Sequence, residues 1–144
     1  MTVRQLSVFV ENRAGRLSAI TKLLGDKNIN IRAISIADTK DFGIMILIVS
    51  DTETALTALK EEGCSVTVTN VIAVQIEDIP LGMANAMETL YKDNISVEYM
   101  YSAFINPSDN TACLILRVDN NDKAQLALYD NGYALLTEEE LSNI

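Results

Sequence analysis

The sequence predicts an α+β protein in which one βαββαβ pattern is used twice, each copy an antiparallel sheet with its helices on one face. Three observations point there. The chain pairs with itself at a nearly constant offset. Within each copy, strand-period and helix-period hydrophobic patterns follow one another in the same order. Apolar residues make up 49% and charged residues 22% of 144 positions, with two prolines and six glycines, which is the balance of a folded globular chain.

The offset is read from Lys27-Asn28-Ile29-Asn30-Ile31 against Asp93-Asn94-Ile95-Ser96-Val97, a shift of 66 positions from Asn28 to Asn94. It also pairs Leu17 with Met83, Ile20 with Ala86 and Leu24 with Leu90, positions expected to face inward from a helix. Further on, Ala55 pairs with Ala124, Leu59 with Leu128 and Gly63 with Gly132, a shift of 69 positions. The second copy has therefore gained three residues, and Asn106-Pro107-Ser108-Asp109-Asn110 in that gap reads as a longer hairpin loop.

In the first copy, Leu6, Val8 and Val10 alternate with Gln5, Ser7 and Phe9, the period of a half-buried strand. Leu17, Ile20, Leu23, Leu24 and Lys27 follow the helical period, and Gly25 with Asn28-Ile29 marks the exit. Ile29 to Asp38 is strand-like, Lys40-Asp41-Phe42-Gly43 is a turn, and Ile44 to Val49 is a continuous apolar run expected of a central strand. Asp51 or Thr52 caps a second helix carrying Ala55, Leu56 and Leu59, which Gly63 ends before a strand from Ser65 to Thr69. The second copy repeats the order: strand Val71 to Glu77, helix Pro80 to Asp93, strands Ile95 to Phe104 and Ala112 to Val118, helix Asn121 to Asn131, and a short strand Tyr133 to Leu136. Glu138-Glu139-Glu140 reads as a solvated helical turn. Right-handed crossovers put both helices of each copy on one sheet face, the ferredoxin-like arrangement. The expected domains are residues 1–69 and 70–144. Each is about 70 residues, a size at which a lone core is marginal, so each is expected to pack on the other or on a second chain.

The composition removes much of chemistry. No histidine is present, which excludes Ser-His-Asp and Cys-His catalysis and a His-built zinc site. The acidic residues show no calcium-ligand spacing, so no metal and no cofactor are expected. Twenty acidic against eleven basic residues leave a formal charge of −9, which repels a phosphate backbone or an anionic lipid surface, so neither nucleic acid nor membrane is an expected partner. No run approaches the roughly 18 apolar residues of a membrane span, and Met1-Thr2-Val3-Arg4-Gln5 lacks the pattern of a secretory leader, so a cytoplasmic location is expected. Cys64 and Cys113 are expected to be buried free thiols. Tyr99 and Tyr101 share a strand face and are expected to pack in a core or an interface, and Met83 and Met87 have the spacing of core residues.

The segment with most chemical content is Asn12-Arg13-Ala14-Gly15-Arg16-Leu17, between the first strand and the first helix. A helix N-terminus offers free N–H donors to a carboxylate or phosphate. Asn12 can cap such donors, Gly15 permits close approach to the backbone, and Arg13 and Arg16 supply forked cations. An ordinary strand-to-helix turn with solvated arginines has the same residues.

An apolar strand, then Asn-x-Ala-Gly-x-Leu opening a helix, then Lys-Asn-Ile-Asn-Ile opening the next strand, resembles the ACT domain, a small amino-acid-binding regulatory module. Gly15 and Leu17 match that family's pattern, with Ala14 where proline is usual. The second copy reads Asp78-Ile79-Pro80-Leu81-Gly82-Met83, with the acid and the proline but one residue more before its glycine. The resemblance covers residues 3 to about 137 as two ACT-like units. It implies a protein without catalysis of its own that binds a free amino acid between two units. The backbone of Ala14 to Leu17 would meet its carboxylate, and Asn28, Asn30 and Ile31, or the matching Asn94, Ser96 and Val97, its other end. Asp78 to Met83 would form a second site. It also implies a homodimer and a metabolic enzyme as regulated partner. Asn28 and Asn94 equally suit a left-handed helix exit. Two other classes stay open: an acylphosphatase-like hydrolase using Arg13 or Arg16, since that family shares the βαββαβ layout, and an interaction module indifferent to small molecules.

Overall fold

The alternation read in the first strand holds in its later half, whereas Gln5, which that reading set opposite the buried side, is itself fully buried. In β1 (Val3–Glu11), Leu6, Val8 and Val10 are buried while Phe9 and Glu11 are exposed. The computed structural model describes residues 1–11, 13–38, 42–104 and 110–143, so Asn12, Lys40-Asp41 and Asn106 to Asp109, read above as part of the loop and as two turns, lie outside the described residues. The chain divides into two compact units, one formed by Arg4–Thr69 and the other by Met1–Val3 with Asn70–Ser142.

In the first unit β1 leads to α1 (Arg16–Asp26), β2 (Ile31–Asp38), β3 (Phe42–Val49), α2 (Thr52–Glu61) and β4 (Ser65–Glu77), with strand order β2-β3-β1-β4. β1 and β2 each run antiparallel to β3, with Leu6 opposite Leu47, Val10 opposite Gly43 and Ile34 opposite Leu47. Leu6, Val8, Val10, Met45, Leu47 and Val49 form one sheet face, and Ile20 and Leu24 of α1 with Ala55 and Leu59 of α2 close over it. A fully buried leucine contributes about 1.5–3 kcal/mol of transfer free energy, so this face supplies most of the unit's cohesion.

The second unit repeats this with the later part of β4, α3 (Gly82–Lys92), β5 (Val97–Ser102), β6 (Thr111–Val118), α4 (Asn121–Asp130) and β7 (Ala134–Leu136), followed by α5 (Glu138–Ser142). β4 pairs with β6 and β7, and β5 with β6, all antiparallel. Ile72, Val74, Ile76, Leu114, Leu116 and Val118 face Ala86, Leu90, Ala124 and Leu128. The βαββαβ order and the mixed α+β class follow the sequence pattern, as does the helical turn at Glu138. The strands expected at Ser65 to Thr69 and Val71 to Glu77 are one unbroken strand.

The repeat extends to the ends of the helices. α1 ends with Ile29 N–H donating to the Leu24 carbonyl and Asn28 N–H to Gly25, and α3 ends with Ile95 to Leu90 and Asn94 to Tyr91. α2 and α4 end the same way, at Gly63 and Gly132. This is the paired 6→1 and 5→2 closure that needs a left-handed residue, and Asn28, Gly63, Asn94 and Gly132 all have φ between 56° and 83°. Matching irregularities interrupt β2 between Ile31 and Ala33 and β5 between Val97 and Tyr99. Both lie on strands flanked by a single partner, where a bulge discourages further pairing.

The loops before α1 and α3 correct the sequence reading. β1 ends at Glu11 and β4 at Glu77, and α1 starts at Arg16 and α3 at Gly82, so the 66-residue shift holds throughout and the second loop has no extra residue. Each loop is a β-turn, closed by Arg16 N–H to the Arg13 carbonyl at 3.3 Å and by Gly82 N–H to the Ile79 carbonyl at 3.0 Å. The third position is Gly15 (φ 87°, ψ −10°) in one and Leu81 (φ 72°, ψ −7°) in the other, values of a type II turn. One copy has kept the glycine this turn favours, the other the proline. Pro80 therefore sits in the turn, and the helix starts two residues after it. Leu17 and Met83 are each 43% exposed rather than core, and Met87, half-buried, packs against the second core. Leu17 and Met83 both stand in the first turn of their helix, while Ile20 and Leu24 of α1 and Ala86 and Leu90 of α3 are buried as their spacing predicts.

Gly82 is bound by contact rather than by φ: a Cβ there would lie 2.1 Å from the Glu77 carbonyl oxygen. Gly82→Ala is therefore expected to lower stability by about 1–3 kcal/mol in urea denaturation, as overpacking does. Leu81→Gly is expected to raise it by about 0.5 kcal/mol, the left-handed penalty of ~1 kcal/mol being partly offset by the freer unfolded glycine. Asp51 caps α2, accepting from the Thr54 hydroxyl at 2.7 Å and the Thr54 N–H at 3.1 Å, which lowers its pKa from the ordinary 3.8. A depressed native pKa stabilises above the unfolded value and ceases to as pH falls through the native one. The stability advantage of the wild type over Asp51→Asn is expected to shrink as pH drops below 3.8, measured by thermal melts across that range.

Candidate functional site

α1 and α3 start differently from α2 and α4. Asp51 caps α2, and Asn120 caps α4 by accepting from Lys123 N–H at 3.0 Å. Gly15 and Leu81, at the corresponding positions of α1 and α3, supply no side-chain cap. Among the described residues the first N–H groups of α1 and α3 meet no side-chain acceptor, so the partial positive charge of those helix ends is left unanswered.

Beside the start of α1 lies a cleft of about 280 Å³, lined by Phe9, Glu11, Arg13, Arg16, Phe42 and Cys64 among others. Arg13 Nε pairs with Glu11 at 2.8 Å. Arg16 Nε is buried with no hydrogen-bond partner among the described residues. An unanswered guanidinium N–H is costly to bury, and here it adjoins uncapped backbone donors. With Glu11 answered by Arg13, one net positive charge remains, a setting for a carboxylate. Of the sequence-derived residues, Arg13, Gly15 and Arg16 come together at this turn, with Ala14 between them. Leu17 begins the exposed face of α1.

The second unit has a corresponding cleft of about 380 Å³. At the 66- and 69-residue shifts most of its lining matches the first, with Gln75 for Phe9, Glu77 for Glu11, Ile79 for Arg13, Gly82 for Arg16, Thr111 for Phe42, and Tyr133 for Cys64, while Asn85 and Asn131 have no counterpart there. Both arginines and both phenylalanines are gone, and among the described residues Glu77 is the one charged group in a lining of mixed polar and apolar residues. The sequence reading took Asp78 to Met83 as a candidate but missed Gln75, Thr111, Asn85 and Asn131. Setting the copies side by side at the known shift would have shown the exchange of Phe9 for Gln75 and of Arg16 for Gly82.

The other half of the expected site lies elsewhere in each unit. Ile31 is opposite Val49, while Val10 and Glu11 are opposite Gly43 and Phe42, so the start of β2 and the loop after β1 are at opposite ends of the sheet. Asn94, Ser96 and Val97 stand likewise to Asp78 to Met83. At Asn30 the backbone N–H donates to Ser50 Oγ at 2.9 Å and the carbonyl accepts from Ser50 N–H at 2.9 Å. Ser96 is tied in the same way to Asp119. Those backbone groups are occupied, which leaves side chains for any ligand there. The left-handed φ of Asn28 and Asn94 accounts for asparagine at both positions on conformational grounds.

Other reactive groups are muted by burial. Desolvation pushes the Cys113 thiol up to about 12, and raises the Tyr101 pKa, with the neighbouring Tyr99 adding to it. Cys64 is half-buried rather than buried. Among the described residues no group of His, Cys, Asp and Glu is arranged to hold a metal ion, and no helix is long and apolar enough to cross a membrane.

The model of the ACT domain pair matches residues 1–144. A protein from Bacteroides thetaiotaomicron superposes with a TM-score of 0.93 at 37% identity, covering 100% of this chain and 98% of its own. The ligand-free regulatory subunit of aspartate kinase from Thermus thermophilus superposes at 0.65 with 16% identity, over 90% and 92% of the two chains. The corresponding subunit from Thermus flavus gives 0.61 at 13%, over 88% and 90%. At those identities the aspartate kinase subunits share the fold. No curated protein matches the chain.

The two thiols report on these surroundings. Iodoacetamide at mildly alkaline pH is expected to modify Cys64 in the folded protein while Cys113 reacts on the order of 100-fold more slowly until denaturant is added, as read by peptide mass spectrometry.

Proposed function

The chain belongs to the family of ACT domain pairs, a regulatory domain type, and from that premise we propose that it binds a free amino acid and carries no catalysis of its own. The observation that carries this reading is the start of α1: a left-handed Gly15 and, among the described residues, no side-chain cap and no acceptor for the buried Arg16 Nε. A ligand carboxylate answers all of these at once, using backbone N–H groups and one guanidinium. Asn12, Arg13 and Leu17 border that contact, and Asp78 to Met83 form a second loop of the same turn type.

The ammonium end and side chain of the ligand would be held by Asn28, Asn30 and Ile31, or by Asn94, Ser96 and Val97, of a neighbouring unit. Within one unit these residues stand at the far end of the sheet from the loop, so a complete site requires another unit, which favours a homodimer. Occupancy would then bias how units pack and so be felt by a metabolic enzyme bound to the pair, a coupling between ligand and partner that works in both directions.

Isothermal titration against the twenty amino acids is expected to find saturable binding for a small subset, and silence across all of them with a folded sample overturns the reading. Gly15→Asp places a carboxylate against the ligand's own and is expected to weaken binding about 100-fold, while Arg16→Ala weakens it about tenfold. Unchanged affinity in both variants would move the site away from this loop. Dimerisation that persists without response to any amino acid would favour a pure interaction module instead.

A further inference from the structure

The cations of the first-unit cleft stand beside two aromatic rings that the sheet does not require. Phe9 and Phe42 both line the cleft at the start of α1, together with Arg13 and Arg16. Phe42 is opposite Glu11 and Phe9 is opposite Ile44, so the two are diagonal neighbours on the sheet face turned away from the helices. Phe9 is 47% and Phe42 56% exposed.

The second copy has the same ladder without the rings. Glu77 is opposite Thr111 as Glu11 is opposite Phe42, and Gln75 and Thr111, at the two ring positions, hydrogen-bond through their side chains at 3.0 Å. A polar pair occupies the same place in the same pairing, so folding does not demand phenylalanine there. What the first copy adds is apolar ring surface next to an Arg16 Nε that has no acceptor among the described residues.

In an aromatic α-amino acid only two carbons separate the carboxylate from the ring. A ligand whose carboxylate lies at the start of α1 therefore has its side chain beside Phe9 and Phe42, within the same cleft of about 280 Å³. Ring against ring gains more than apolar burial alone, and a guanidinium favours a π face over an aliphatic chain. A charged side chain would have to shed its water against the rings.

Resting on the amino-acid reading of this loop, we propose that the site selects an amino acid with an aromatic side chain, and that Phe9 and Phe42 set the preference. The ligand ring lies against theirs while its carboxylate takes the backbone donors of α1 and Arg16. Contacts from a neighbouring unit close over the same side chain and leave the preference in place. The second loop, with Gln75 and Thr111 instead, lacks it.

The test is calorimetry of the full chain with L-phenylalanine, L-tyrosine and L-leucine. The chain has no tryptophan, so L-tryptophan reports its own binding by fluorescence as an independent reading. The aromatic ligands are expected to bind about tenfold more tightly than leucine. Phe9→Leu and Phe42→Leu, which keep an apolar group and lose the ring, are each expected to bring that ratio to about twofold. Phe9→Gln and Phe42→Thr, which install the second copy's residues, lower it likewise. 2-Phenylethylamine, with the ring and no carboxylate, is expected not to bind. Leucine bound as tightly as phenylalanine, a ratio unchanged in both leucine variants, or 2-phenylethylamine bound as tightly as phenylalanine overturns the proposal. Amino-acid binding that is lost in Gly15→Asp but shows no ring preference overturns this inference and leaves the loop reading standing, whereas silence with all twenty amino acids overturns both.

Discussion

Each unit depends on a reversal of direction made in four residues, where a strand ends and a helix begins against the same sheet. The turn at Arg13 to Arg16, and its copy at Ile79 to Gly82, must bring the helix start close to the last strand residue without a side-chain cap to help. A type II turn does this at the expense of one left-handed residue. Around that turn lie the open N–H groups of α1 and α3 and a cleft beside each helix start. The helices then settle with Leu24 and Leu90 on their sheets, and the hydrophobic face does the rest of the holding.

The two copies show which features answer to stability and which are free to vary. Helix exits, second-helix caps and strand irregularities are repeated position for position, with asparagine at the exits of α1 and α3 and glycine at those of α2 and α4. Each of these satisfies backbone groups that would otherwise be left unpaired, a requirement independent of any ligand. The cleft linings are not repeated. Two arginines and two phenylalanines in one copy face isoleucine, glycine, glutamine and threonine in the other.

The second turn shows how near to its limits the backbone is. Leu81 is 72% exposed and takes a conformation for which it has no steric advantage, while Gly82, one residue on, permits the close approach to Glu77. The second helix start sits against the strand carbonyl, and the energy lost at Leu81 is smaller than the collision avoided at Gly82. From the letters alone this reads as an inserted residue. Only the hydrogen bonds closing the two turns show that the loops have equal length.

Much of the fold was legible because periodicity is local. Alternating Leu6, Val8 and Val10, the helical spacing of Ile20 and Leu24, and the shift of 66 positions between copies all depend on near neighbours in the chain, and they are sufficient to order the elements and place both cores. The cleft was not legible, since it joins Glu77 to Asn131 across 54 positions, and neither residue has a pattern of its own. The sequence by itself determined the βαββαβ repeat, the lack of histidine chemistry and the loops where backbone donors are free. Tertiary structure decided that the Arg16 Nε is buried with no partner among the described residues, that an Asn131 amide N–H is held by the Ala127 carbonyl, and that Gly82 cannot carry a side chain. Those are matters of which atoms meet at distances of a few ångströms, and that depends on how whole elements pack.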